Sequence, residues 1–288
     1  MWHHQWASVR GAGHREQGLP CQDRVRTLER NGVTAAALAD GAGSARLSQV
    51  GAEIAVQLAC QILCRDFTEL STNATPFTMR KAILEPIRAE IRNWADSHGV
   101  SSRDLACTLL AVAVRGDQYL VFHVGDGVIG YRKNGQMLVA SHPDNGEFCN
   151  CTTFVTSRDA MLKSRVIRGS SSEIDGFFFL CDGCEPALFD KRRGRLAPIC
   201  GNLIRRAELL DPQIAREQLE EVLSMAIAAR TRDDCSLVLL TRRTEQFRPW
   251  GQLTQREQAR VLGIRTQDRN RRRRMIRHYA REYGASAV

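Results

Sequence analysis

Four aspartates of this 288-residue chain stand where a strand-length apolar run meets glycine or a turn. Asp40 follows the run 33–39 in Ala39-Asp40-Gly41, and Asp126 follows 119–124 in Gly125-Asp126-Gly127. Asp182 follows 177–180 in Cys181-Asp182-Gly183, and Asp233 precedes 237–240. These runs, with 109–114, are short, apolar and bounded by turn residues, so each is expected to be a buried strand. Gly116-Asp117 between two of them is a hairpin signal, so part of the sheet is expected to be antiparallel. Such a chain must bury several strands while delivering their ends to the rims of a sheet.

Helical patterns lie between the strands. Val50, Ile54, Leu58 and Ile62 draw one stripe along a helix over 49–64. Thr75-Pro76 reads as an N-cap with proline at the first helical position, opening a helix to about residue 94. Asp211-Pro212 opens another to about residue 229 by the same logic. The polar stretch 141–172 is expected to be a loop or flap over a site. Antiparallel strands with a few long helices imply an α+β body with helices packed outside sheets.

Apolar residues make up 43% and charged residues 25%, the balance of an ordinary globular protein. No run reaches the roughly eighteen apolar residues of a membrane span, and the first residues lack a signal-peptide layout. A cytoplasmic location is therefore expected, with the ten cysteines kept as thiols. From residue 242 on there are thirteen arginines against four acids, which is the whole net charge of +9. The chain thus divides into a neutral body, 1–241, and a basic, Arg-rich helical tail, 242–288.

Carboxylates at strand ends can converge on one rim, where hard divalent cations such as Mg²⁺ and Mn²⁺ find oxygen ligands and glycine permits close approach. Asp23 in Cys21-Gln22-Asp23 completes a set that suits a binuclear metal centre. A single Asp-Gly is commonly just a surface turn. The weight lies in the recurrence of the pattern after buried runs.

The order and wording of these motifs resemble the PP2C phosphatases. Cys21-Gln22-Asp23, Ala39-Asp40-Gly41-Ala42-Gly43-Ser44, Cys107-Thr108, Val124-Gly125-Asp126-Gly127, Cys181-Asp182-Gly183 and Asp233-Asp234-Cys235-Ser236 follow in the family's sequence over about residues 5–241. Gly11-Ala12-Gly13-His14 before Gln-Asp, and the stretch 146–150 before Thr152-Thr153-Phe154, look like the bacterial branch. The resemblance implies an α-β-β-α sandwich of two antiparallel sheets, and metal-dependent serine/threonine protein phosphatase activity with two Mn²⁺ or Mg²⁺ ions and a weaker third. It also implies that Asp40 bridges both metals, that the Gly41 carbonyl binds one, and that Asp182 and Asp233 bind the other. Asp23 would act through metal-bound water and Asp126 would support the third ion. Two cations that lower the pKa of a shared water and neutralise phosphoryl oxygens need no cysteine nucleophile.

Three positions depart from the pattern. Ala42 stands where eukaryotic members carry histidine, Gln22 replaces the usual glutamate, and Gly18 stands where the phosphate-gripping arginine is expected. Arg10, His14 and Arg46 are candidates to replace that arginine. Cys181-Asp182-Gly183-Cys184 has zinc or redox spacing, but Cys181 closes an apolar strand and no matched second pair follows, so buried thiols are expected. The implied partners are a phosphoprotein substrate and a cognate kinase. The alternatives are a catalytically silent phosphatase-like binding module and a nucleic-acid-associated protein acting through the tail.

Overall fold

A computed structural model describes residues 1–144, 152–243, 252–261 and Arg274. Its first strands are β1 (Trp2–Val9), β2 (Arg24–Arg30) and β3 (Val33–Ala39), with the short helix α1 (Ala12–Glu16) between the first two. Two long helices follow, α2 (Ser48–Thr72) and α3 (Pro76–Ser97). The strands β4 (Leu109–Arg115), β5 (Gln118–Val124), β6 (Val128–Lys133) and β7 (Gln136–Ser141) come next, then α4 (Ala160–Lys163), β8 (Arg165–Ser170) and β9 (Ile174–Leu180). The last third holds α5 (Glu185–Leu188), β10 (Phe189–Asp190), β11 (Arg195–Leu196), α6 (Pro198–Leu209), α7 (Pro212–Glu221), β12 (Cys235–Arg242) and α8 (Gln255–Val261).

The strands form two five-stranded sheets, ordered β2-β3-β4-β5-β8 and β1-β12-β9-β6-β7. Their pairings are antiparallel, including the β4–β5 hairpin, where Gly116 takes a φ of 56°. The run 33–39 is apolar throughout because both of its faces are covered. Ala36 and Leu38 join a core with Phe177, Phe179 and Val238 of the second sheet, whereas Ala35, Ala37 and Ala39 join one with α2 and α3. The same alternation divides Leu110 and Val112 from Leu109 and Ala111. Helices α6 and α7 cover the other outer face, contributing Leu203, Ile204 and Leu219. The expected sandwich with helices outside is therefore the observed architecture.

Some local expectations are corrected. On α2 the residues at the sheet are small ones, Gly51, Ala52, Ala55, Val56, Ala59 and Cys60, while Val50, Ile54 and Leu58 are only partly buried. Small side chains let the helix approach closely; a Cβ on Gly51 would lie 1.9 Å from the Leu105 carbonyl oxygen. The stretch 141–172 is not simply a loop, since it contains α4 and β8, the latter paired with β5. The helix opened by Asp211, whose side chain accepts from the Gln213 N–H, stops being regular at Glu221 and continues as wider and then tighter turns to Arg230. Thr75 caps α3 as expected, accepting from the Thr78 N–H at 3.2 Å.

Most of the basic tail lies outside the described residues. Within its described part, Leu253 and Ala259 are buried against Leu210 and Ala215 of the body. Truncation after Arg243 would uncover Leu210, and loss of ~1–2 kcal/mol of burial should lower the melting temperature by several degrees. Melting full-length and truncated protein side by side checks this, and equal midpoints would show that these contacts carry no stability.

Candidate metal centre

The two sheets deliver their ends to one rim. Asp40 leaves β3, where its backbone N–H donates to the Thr108 hydroxyl at 2.9 Å and its carbonyl accepts from the Thr108 N–H at 2.8 Å. Gly41 bridges to Cys107 across the same gap. A Cβ on Gly41 would sit 2.7 Å from the Ser48 hydroxyl oxygen and 3.0 Å from the Gln22 carbonyl oxygen, so only glycine admits both loops here. Asp182 leaves β9, and Gly183 after it is held so tightly that a Cβ would lie 2.0 Å from the Asp234 carbonyl oxygen.

These closures bring carboxylates together. Asp23, Asp40 and Cys181 each present a ligand atom within 4.8 Å of the others. Burial pushes the Asp23 carboxyl up to about 7, with the charges of Asp234 and Asp182 adding to the effect and the polar hydrogens of Ser236 and Cys181 offsetting part of it. Asp40 is held well above the usual carboxylate range by burial, then by the negative charges of Asp23 and Asp182. Neither oxygen of Asp23, nor Oδ1 of Asp182, has a good hydrogen-bond partner among the described residues, although all three are buried. Buried carboxylates are ordinarily paired. Here Asp23 and Asp40 present oxygens to one point, which fits a hard divalent cation, and Asp182 stands near enough for its charge to raise both carboxyls. The Cys181 thiol is already occupied: it accepts from the Ser236 N–H at 3.1 Å and donates to the Asp234 carbonyl at 3.5 Å.

Asp233 is more exposed, and its carboxyl is raised by partial burial and then by Asp182. Asp126 lies across a cleft of about 640 Å³ that it lines with Asp144, Asp182, Glu185, Lys191 and Arg192. The Thr152 hydroxyl donates to Asp126, and the Thr153 hydroxyl donates to Asp144 at 2.9 Å. Buried Glu185 is ion-paired with Lys191 on this cleft.

Of the candidates for phosphate binding, Arg46 is exposed and pairs with Asp104 at 3.6 Å. Arg10 is exposed and donates to the Leu19 carbonyl at 3.3 Å. His14 is turned inward, with Nδ1 2.9 Å from Oδ2 of Asp234.

Asp234 was assigned nothing from sequence, yet it ties the site together. Its Oδ1 accepts from the Gly11 N–H at 2.7 Å and its Oδ2 accepts from the Gln22 N–H at 2.6 Å, so one buried carboxylate fastens the loop that carries Asp23 to the start of β12. Its place beside Asp233 in the last motif was the available signal. The thiols do not supply a nucleophile: burial raises Cys107 and Cys181 far above neutrality and Cys21 to about 12.

Residues 10–224 match the family described as Protein phosphatase 2C. The chain belongs to the PP2C family. Members of this family are metal-dependent phosphatases, in keeping with the carboxylate cluster. Serine/threonine-protein phosphatase 3 of Escherichia coli (strain K12) is 29% identical over 169 residues, which span 56% of this chain and 66% of that protein, just under two thirds. A bacterial serine phosphatase superposes with a TM-score of 0.61 at 13% identity, covering 85% of this chain and all of the other, 100%. The serine/threonine phosphatase Stp1 from Staphylococcus aureus gives 0.58 at 12% identity, covering 85% and 96%. These two structures share the PP2C fold with this chain, and the family match adds the motifs that the fold brings together.

Proposed function

We propose that this chain is a protein serine/threonine phosphatase that uses Mn²⁺ or Mg²⁺ to hydrolyse phosphoserine and phosphothreonine, opposing a kinase in bacterial signalling or stress response. The observation that carries the reading is the cluster of Asp23, Asp40 and Asp182, in which both oxygens of Asp23 and Oδ1 of Asp182 are buried without a good hydrogen-bond partner among the described residues and the charges of Asp23 and Asp182 raise Asp40. Asp40 and the Gly41 carbonyl would hold one ion, Asp182 and Asp233 with Asp40 the second, and Asp126 a third, weaker one. When bound, such ions lower the pKa of water and neutralise phosphoryl oxygens.

The chain's own groups then have separate tasks. Asp234 fixes the loop bearing Asp23 through the Gly11 and Gln22 N–H groups. Thr108 fixes the backbone of Asp40 from both sides. Lys191 and Arg192 put positive charge on the lining of the cleft that also holds Asp126 and Asp182, a counter-charge for a phosphoryl dianion beside the ions.

The test is hydrolysis of an aryl phosphate and of a phosphothreonine peptide with Mn²⁺, with Mg²⁺ and with chelator. Both substrates should turn over with metal, and chelator should abolish turnover. A folded protein inactive on both with either metal would instead be a silent binding module.

A further inference from the structure

The residues that follow the Asp182 motif form a charged hairpin with two faces. Strands β10 and β11 pair Phe189 with Leu196 and Asp190 with Arg195. Phe189 and Leu196 are buried at its root, and Leu196 packs where Gly130 leaves room, a Cβ there coming within 2.1 Å of it. The turn is pinned by Oδ1 of Asp190, which accepts from the Arg192 and Arg193 N–H groups at 3.1 Å each, and it closes through Gly194 at a φ of 58°. Its charges are therefore mounted on a held scaffold. The segment Phe189–Leu196 carries Lys191, Arg192, Arg193 and Arg195 against the single acid Asp190.

Consecutive residues of this hairpin line two hollows. Phe189 to Arg192 border the carboxylate cleft, and Arg193 to Leu196 border a separate groove of about 1030 Å³ between β7 and α6. Arg132, Arg193, Arg195 and Arg205 all line that groove, and no acidic residue does among the described residues. Arg132 pairs with Asp175, and Arg193 pairs with Asp190 at 3.5 Å. Arg195 and Arg205 make no ion pair among the described residues. The close contact of Gly201 with Met137, where a Cβ would be 3.3 Å from Cγ, seats α6 beside β7 and sets the groove's wall.

Guanidinium groups without an ion pair among the described residues, in a groove on the other side of the hairpin that borders the reaction cleft, match carboxylates or phosphates carried on one extended segment. Resting on the phosphatase reading, we propose that this groove docks the acidic flank of the phosphoprotein substrate. The favoured substrate is then a phosphoserine or phosphothreonine with Asp, Glu or a second phosphorylated residue several positions away. The phosphorylated residue enters the cleft past Arg192 while the acidic flank lies along Arg195 and Arg205.

Two phosphothreonine peptides, alike except for three glutamates or three glutamines in the flank, separate the outcomes when assayed beside an aryl phosphate too small to reach the groove. Wild type should favour the acidic peptide about tenfold in kcat/KM at low salt, and the preference should shrink at high salt. R195E/R205E should remove that preference and leave aryl phosphate turnover unchanged. Fluorescence anisotropy with the unphosphorylated acidic peptide gives a readout independent of turnover: binding should weaken about tenfold in the same variant even if no substrate is hydrolysed. Equal rates on the two peptides, or a preference and binding that survive charge reversal, would overturn the proposal. So would a single-stranded oligonucleotide of equal charge that binds more tightly than the peptide and is lost in R195E/R205E, since the groove would then serve nucleic acid. Inactivity on all three substrates with intact, charge-dependent peptide binding would sink the phosphatase reading and leave the docking groove standing.

Discussion

Asp182→Asn should lower turnover at limiting Mn²⁺ by about a thousandfold, equivalent to ~4 kcal/mol of lost transition-state stabilisation, and should weaken Mn²⁺ affinity with it. The folded state should not suffer. Oδ1 of Asp182 is buried without a good hydrogen-bond partner among the described residues, and its charge opposes those of Asp23 and Asp40, so asparagine relieves repulsion in the metal-free protein. The sign with pH follows from the neighbours. A carboxyl raised in the folded state contributes stability that is full below the unfolded value near 4 and is lost as pH rises through the folded one. For Asp23 that upper value is about 7. In chelator, Asp182→Asn should therefore melt above wild type by a few degrees at pH 8 and by less at pH 5. Melting at the two pH values, with Mn²⁺ titrations of turnover, checks both halves. A variant with wild-type turnover at limiting Mn²⁺ would show that the cluster is not the site.

Asp234→Ala should be the most destabilising single change at this rim. The carboxylate is buried and accepts from two backbone N–H groups, at 2.7 and 2.6 Å, with His14 at 2.9 Å. Truncation strands both N–H groups in a site closed to water. Charge-assisted bonds of this kind carry ~1.5–3 kcal/mol each, so a loss of ~3–5 kcal/mol is expected, or about 10 °C in a domain of this size. Asp234→Asn keeps one good acceptor and should fall between the two. Turnover of the alanine variant should drop as well, because the loop that Asp234 fastens carries Asp23. Thermal melts of the three proteins decide this, and an unchanged midpoint in Asp234→Ala would contradict the clamp.

The strands most readable from sequence were those covered on both faces, since their apolar runs are continuous: 33–39, 109–114 and 177–180 all lie within observed strands. Strands with one open face were missed. In β1 only Trp2, Gln5 and Ala7 are buried, and the intervening His3, His4 and Ser8 hide the alternation; β2 reads Arg-Val-Arg-Thr-Leu-Glu-Arg for the same reason. The stripe on α2 was read only in part: Ile62 is buried and Val50, Ile54 and Leu58 pack half-buried against the core, while a helix lying close to an alanine-rich sheet also buries its small residues. Asp40, Asp126 and Asp182 were visible as strand-end Asp-Gly pairs, whereas Asp23 and Asp233 have no glycine after them and came with the motif order. Asp234 and Thr108 stood within quoted motifs but were assigned no role, because their work is done through backbone hydrogen bonds to segments far away in sequence. The charged hairpin at 189–196 was legible only as composition until the two hollows on its faces were seen.

The central claim is that the carboxylates gathered at this rim hold a pair of divalent cations. Electron paramagnetic resonance of the protein titrated with Mn²⁺ addresses it without reference to any substrate. Two bound ions per chain with an exchange-coupled signal are expected for wild type, and the coupling should vanish in Asp40→Asn. Failure to bind Mn²⁺, or a coupled signal that persists in Asp40→Asn, would contradict the account.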